Sequence, residues 1–201
     1  VGFQISAAHR LQARLMQADS RSDYDNGTKK DNARYKREMQ SAGASWIAQW
    51  SEVYRSTVSV NTSRDDYRLL PSNEETKTRL NTYLWQNDFQ LGQYQTLNAS
   101  VERREDQFTN PKIQDGEQSR HQNALALGYG VRMGNHSLQI NARHDEDSEF
   151  GDKTTGSASY GWDFAPQWRI SASMGTAFRV PTLYQRFSIY GDATLKPEEG
   201  N

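Results

Sequence analysis

The stretch NALALGYGVR, Asn123–Arg132, alternates with a period of two. Leu125, Leu127, Tyr129 and Val131 fall on one side of it, and Ala124, Ala126, Gly128 and Gly130 on the other. Successive side chains of an extended chain project to opposite faces, so the stretch reads as a strand with one apolar face and one face of small residues. Leu138–Arg143 repeats the pattern, and in Trp168–Met174 the residues Trp168, Ile170, Ala172 and Met174 oppose Arg169, Ser171 and Ser173. Weaker alternation runs through Arg37–Trp50, Val53–Arg64, Thr76–Gln86, Tyr94–Glu105 and Gly156–Trp162. With the opening segment, the pattern predicts about nine strands.

The joints between them come in two lengths. Short ones are expected near Gln49–Glu52, Asp88–Gln93, Met133–His136 and Phe164–Gln167; long polar ones over Asp19–Ala33, Asp65–Glu75, Asp106–Ser119, Asp145–Thr155 and the closing segment. They alternate strictly. A soluble sandwich has no reason to keep every long loop on one rim, whereas a transmembrane barrel has short turns on one side and long loops on the other. Aromatics gather beside the short joints: Trp46, Trp50 and Tyr54; Trp85 and Phe89; Trp162 and Trp168. Amphipathic rings prefer the membrane–water interface, which is where such girdles form.

Composition fits a wall better than a core. Of 201 residues only 34% are hydrophobic, while aromatics reach 11%, and mean hydropathy is −0.96. An ordinary globular domain is about 45–50% apolar, yet disordered chains lack aromatics. No stretch approaches the roughly 20 apolar residues of a membrane helix. The net charge of −1 offers no basic footprint for nucleic acid, and the absence of cysteine excludes disulfides and thiolate metal sites. Val1–Ile5 reads like mid-strand and not like a signal peptide, so a piece of a longer mature protein is expected.

The closing segment carries a more specific signal. Tyr160-Gly161-Trp162, the strand Trp168–Met174, Gly175-Thr176-Ala177-Phe178-Arg179-Val180-Pro181-Thr182-Leu183-Tyr184-Gln185 and Tyr190-Gly191-Asp192-Ala193-Thr194-Leu195-Lys196-Pro197-Glu198-Glu199 resemble the barrel of TonB-dependent outer-membrane receptors. Asp192-Ala193 stands where the family usually has Asn-Pro. Ala142–Gly151, and more loosely Ser22–Asp25 and Ser63–Tyr67, extend the resemblance toward the cobalamin (vitamin B12) receptors of that family.

The resemblance implies an all-β, antiparallel up-and-down transmembrane barrel of about 22 strands with an N-terminal plug inside. Residues 1–201 would be a consecutive run of its middle strands, without the plug, the TonB box and the C-terminal strands. It further implies a transporter and not an enzyme, sited in the Gram-negative outer membrane. Its partners would be cobalamin or another metal chelate, TonB through the plug, and outer-membrane lipid and lipopolysaccharide; no nucleic acid is expected. Three alternatives stay open: a siderophore or haem receptor, a passive porin-like or autotransporter barrel, and a soluble β-rich binding module. The last predicts that Leu125, Leu127, Ile140 and Ile170 are buried.

For the site, the resemblance implies calcium held by the loop aspartates Asp23, Asp25, Asp65 and Asp66, since calcium takes six to eight oxygen ligands. Solvated acidic loops would read the same way. Tyr24 and Tyr67 beside them, and Arg179, Tyr184, Arg186, Phe187 and Tyr190 in the closing loop, are the expected ligand contacts, while Pro181 and Leu183 are expected to shape that loop. His9, His121, His136 and His144 lack metal-ligand spacing and are expected on the surface or in the lumen. Gly128 and Gly130 would let a plug approach closely. Glu102–Glu105 and Asp145–Asp147 read as a solvated rim. No G-x-S-x-G elbow or phosphate loop is present.

Overall fold

The computed structural model describes residues 1–25, 33–113 and 116–201. Ten strands form one antiparallel meander in chain order: β1 Gly2–Gln4, β2 His9–Asp23, β3 Arg34–Ser51, β4 Tyr54–Leu70, β5 Glu74–Gln90, β6 Gln95–Thr109, β7 Glu117–Met133, β8 His136–Asp147, β9 Gly151–Ala165 and β10 Trp168–Gly175. A two-stranded sheet follows, β11 Ala177–Arg179 with β12 Glu198–Gly200, and between them lies one short helix, α1 Leu183–Phe187. The sheet does not close on itself; β1 and β10 are its edges.

Register confirms the two faces. Leu11, Trp46, Val58, Trp85, Val101 and Leu125 stand opposite one another from β2 to β7 and form an apolar row on the outer side. One residue along each strand, Thr57, Gln86, Ser100, Ala126, Arg143 and Thr155 form the matching inner row. The outer apolar side chains have no core to enter: Leu125, Leu127, Ile140 and Ile170 are 50%, 51%, 48% and 58% exposed. That overturns the soluble-module alternative, which needs them inside. The accessible surface of 13791 Å² far exceeds the roughly 9,600 Å² expected of a compact chain of this mass. Only Ala33, Ala48, Phe108, Ala124 and Leu183 are buried hydrophobics among the described residues.

The strands are longer than the pattern predicts. β3, β4, β5 and β7 run 17 or 18 residues, about 55 Å at the usual strand rise, where about ten residues cross a membrane. Two of the expected long loops are therefore strand. The Asp65–Glu75 joint shrinks to a turn at 71–73, and the Asp145–Thr155 joint to a turn at 148–150. Above the apolar belt both faces of the wall meet water, so apolar alternation stops while the backbone ladder continues. Cross-strand ion pairs such as Arg37–Asp65 and Arg68–Glu75 hold these extensions. The Asp19–Ala33 and Asp106–Ser119 joints lie partly outside the described residues. The opening segment is two strands, not one, because the chain turns back at residues 5–8.

At the opposite rim the turns are tight. Between β7 and β8 the turn is Gly134-Asn135, where Gly134 adopts φ 56°, a conformation that costs a side-chain-bearing residue energy. Rings cluster there on the outer face. His9 stacks on Trp46 at 5.7 Å, Tyr54 on Phe89 at 4.6 Å, and His136 on Trp162 at 5.8 Å. Two of the four histidines thus belong to the aromatic girdle, and His121 and His144 also lie on the outer face; none lines the inner one.

Candidate functional site

Past β10 the chain re-enters from the rim of long loops and folds against the inner wall. Thr182 starts α1 with a reciprocal capping box: its hydroxyl accepts from the Gln185 backbone N–H at 3.1 Å, and Gln185 Oε1 accepts from the Thr182 N–H at 2.8 Å. Pro181 and Leu183 are buried, as expected of residues that shape the loop. Tyr184 meets the fully buried Phe108 of β6 edge-on at 5.9 Å.

Arg120 of β7 is the anchor of this arrangement. Its side chain is 2% exposed; it donates to the Pro181 carbonyl at 2.8 Å and to Asp106 Oδ2 at 2.9 Å, and it lies 3.5 Å from Asp147. A buried charge is tolerated only when paired and hydrogen-bonded, and the planar guanidinium can serve several acceptors at once. Asp147 caps the β8–β9 turn, accepting from the N–H groups of Glu149 and Phe150 at 2.9 and 3.2 Å. Lower on the wall, Arg143 bridges Glu102 and Asp145, each at 2.9 Å.

Sequence reasoning missed Arg120, Asp106, Asp147 and Phe108. Asp106 and Phe108 fall in an expected loop, Asp147 on the expected solvated rim, and Arg120 carries no reading, yet Asp145 and Asp147 are 6% and 3% exposed. Glu102 and Arg104 face inward while Arg103 and Glu105 face outward, so the charged run is two faces of one strand. The signal was present as period-two spacing in Arg104-x-Asp106-x-Phe108.

The expected ligand residues separate into groups. Tyr67 stands on the inner face of β4, not in a loop, and stacks on Tyr35 of β3 at 5.8 Å. Lying above the apolar belt, its phenol is pushed up from the ordinary tyrosine value, first by burial and then by the negative charge that Tyr184 and Tyr24 carry when ionised. Tyr184 lies on the same inner side, against Phe108 of β6. Arg186 is committed elsewhere: its guanidinium lies 4.9 Å from the Phe150 ring and 4.7 Å from that of Phe187, pairs with Glu149 and donates to the Ala193 carbonyl. Arg186 and Phe187 thus hold the loop in shape. Arg179 sits in β11 across from Glu198, and Tyr190 is 77% exposed at the loop tip.

The four aspartates do not converge. Asp65 and Asp66 are strand neighbours on opposite faces of the wall, Asp65 gripped bidentately by Arg37 and Asp66 by Arg64. Asp23 pairs with Arg34 at 3.0 Å, and Asp25 follows the end of β2. Among the described residues no group of three or more His, Asp or Glu is placed to hold a metal. The Asn98 and Asn141 side-chain oxygens stand 2.6 and 2.8 Å from where a Cβ on Gly128 would be.

A long antiparallel meander with an apolar outer belt, an aromatic girdle at the short-turn rim and a polar inner wall defines the wall of a large membrane β-barrel. The chain belongs to the TonB dependent receptor-like β-barrel family, whose profile matches residues 3–201; proteins of this family are outer-membrane barrels. Over 118 residues, 58% of this chain, it is 29% identical to the vitamin B12 transporter BtuB of Vibrio cholerae, of which the match covers 19%. In fold it is similar to the siderophore receptor PirA of Pseudomonas aeruginosa, with TM-score 0.77 and 14% identity over 92% of this chain and 33% of that one. It is likewise similar to the ferric enterobactin receptor PfeA of Pseudomonas aeruginosa in complex with enterobactin, with TM-score 0.74 and 16% identity over the same shares. The chain thus spans about a fifth of the curated relatives and a third of these solved structures.

Proposed function

We propose that the full-length protein is an active-uptake receptor of the Gram-negative outer membrane and that its ligand is a corrinoid of the cobalamin type. In this reading the outer loops capture a scarce ligand, and TonB, acting on a plug domain, drives it through the lumen. The residues described here supply wall and rim.

The observation that carries the ligand choice is the charge balance of the inner rim. Arg37, Arg104, Arg120, Arg143 and Arg186 are each engaged by a carboxylate. With these five arginines spent, the aromatic groups that the described residues offer to a ligand at this rim are tyrosines. A ferric catecholate is highly anionic and needs unspent cations, whereas a corrinoid is broad, largely apolar and fringed with amides. Tyr24, Tyr67, Tyr184 and Tyr190 offer rings and phenols to such a face. The partial identity with a vitamin B12 transporter supports the same choice.

Titration of the full-length receptor with cyanocobalamin and with a ferric catecholate tests it. Tight binding of cyanocobalamin alone is expected. Preference for the iron chelate would replace the corrinoid reading with the siderophore one.

A further inference from the structure

Two arginines oppose each other on the outer surface of the wall. Arg64 of β4 is directly across from Arg79 of β5, on the face that also carries Val58, Val60, Tyr83 and Trp85. Like charges directly opposite in a sheet are destabilising. The whole cross-strand row contains no acid: it reads Gln17, Gln40, Arg64, Arg79, Gln107, Ser119.

The neighbouring carboxylates are mostly engaged; Glu117, which lines the same outer-face hollow as Arg64, Lys77 and Arg79, accepts from the Gln107 amide and has no ion pair among the described residues. Arg64 takes Asp66 through two hydrogen bonds of 2.9 and 2.6 Å, Arg103 takes Glu105 at 2.8 Å, and Glu75 is shared by Arg68 and Lys77. The next row up, Asp19, Glu38, Asp66 and Lys77, is offset by Arg21, Lys36 and Arg68 in the row above it. Arg79 is exposed and has no hydrogen bond or ion pair among the described residues. Lys77 stands next to it on the same face of β5. The result is a local surplus of positive charge centred on Arg79.

Depth on the wall decides what could neutralise it. Moving toward the short-turn rim, the outer residues of β4 and β5 become Thr62 and Asn81, then Val60 and Tyr83, then Val58 and Trp85. The arginines therefore stand just above the apolar belt, at the level of lipid headgroups. A groove of about 580 Å³ begins between them and descends to Leu15 and Ala42, crossing the rung where the Thr62 hydroxyl donates to Asn81 at 2.8 Å. Leu15 is 87% exposed. A cationic head over an apolar foot matches an anionic amphiphile, and guanidinium forks match phosphate oxygens.

We propose that Arg64, Arg79 and Lys77 bind the phosphate of a phosphorylated lipid of the outer leaflet, whose acyl chain lies in the groove over Leu15 and Ala42. The lipid relieves the Arg64–Arg79 repulsion and seals the wall where β4 and β5 leave the bilayer. This surface is separate from the inner rim and does not depend on the identity of the transported ligand.

The test uses the full-length receptor in phosphatidylcholine nanodiscs with diphosphoryl lipid A as probe. Wild type should retain the probe through gel filtration, and Arg64→Gln/Arg79→Gln should weaken binding about tenfold, on the scale of a few-fold per cation lost. Arg79→Lys should fall between wild type and the double Gln variant, because charge is kept and the guanidinium fork is lost. Fully dephosphorylated lipid A should not bind, and inorganic phosphate should not displace the probe. Equal retention by wild type and the double Gln variant overturns the proposal, as does binding that survives removal of the phosphates. Displacement by inorganic phosphate would mean a simple anion site and overturns it as well. Unchanged heat-modifiable mobility in both variants ensures that a loss is read from folded barrels.

Discussion

The guanidinium of Arg120, on the inner face of β7, donates to the backbone carbonyl of Pro181 in the loop that follows β11, at 2.8 Å. One buried side chain thereby fastens the inward-folded loop to the wall. The same group neutralises Asp106 and faces Asp147, so the tether and the charge balance of the inner rim depend on each other.

Replacing it should free the loop. Arg120→Met removes the tether and leaves the buried Asp147 carboxylate without its cation, while Asp106 keeps Arg104, a loss of about 3–5 kcal/mol for breaking a buried pair from one side. Local opening follows that free energy, so proteolysis within residues 182–196 of the full-length receptor should accelerate by between about a hundredfold and a few thousandfold. Arg120→Lys should recover part of the loss. An unchanged cleavage rate in Arg120→Met would show that the loop is held by other contacts.

Two residues of the same loop should separate shape from recognition. Leu183 is 3% exposed and Tyr190 is 77% exposed. Leu183→Ala should destabilise loop docking by about 2–5 kcal/mol, as for other buried leucines. Tyr190→Ala should leave docking within about 0.5 kcal/mol and lower cyanocobalamin affinity. Differential proteolysis and ligand titration, run on both variants, read the two effects independently. Unchanged affinity in Tyr190→Ala would remove the loop tip from the ligand surface.

What could be read in the sequence follows from where the wall meets lipid. Around Leu125–Val131 one face must be apolar, and the alternation is plain. Around Arg64–Tyr67 and Arg104–Phe108 both faces meet water or other polar groups, so the same strands look like loops. The closing loop was legible through the resemblance carried by Gly175–Gln185, with Pro181 and Leu183 as its local signals; the Thr182–Gln185 capping box that starts α1 was not read from it. Its anchor was not, because Arg120 reaches Pro181 only after the meander brings β7 beneath it. Asp65 and Asp66 look like a pair in the sequence but are parted by the strand's own alternation.

Tyr67 gives the inner rim a pH signature. Its pKa is raised above the ordinary value of 10.0, chiefly by burial. Below that value the phenol is neutral in both states, and its contribution to stability is fully present. As pH rises past it, the unfolded chain ionises first and stability falls, until the folded-state pKa is also passed. Absorbance at the phenolate band should show one late-titrating tyrosine that disappears in Tyr67→Phe. The same variant should lose part of the alkaline fall in stability. A titration identical to wild type would place Tyr67 in water.

The two faces of the wall can be told apart with matched arginine substitutions. Leu127 on β7 and Ser100 on β6 lie at similar height, since Ala99 is across from Leu127 and Ser100 from Ala126. Leu127 points out and Ser100 in. Arginine on the lipid face near the midplane of a barrel costs about 2–4 kcal/mol, while inner-face substitutions mainly tune what passes. Leu127→Arg should therefore cut the folding yield of the full-length receptor in bilayers and lower its denaturant midpoint. Ser100→Arg should fold normally and act, if at all, on ligand passage. The opposite ranking would require the leucine row to face inward, and neither the apolar belt nor the aromatic girdle could then be lipid contacts. Equal costs would mean that both faces meet water, and the barrel wall would have to be given up for a soluble sheet.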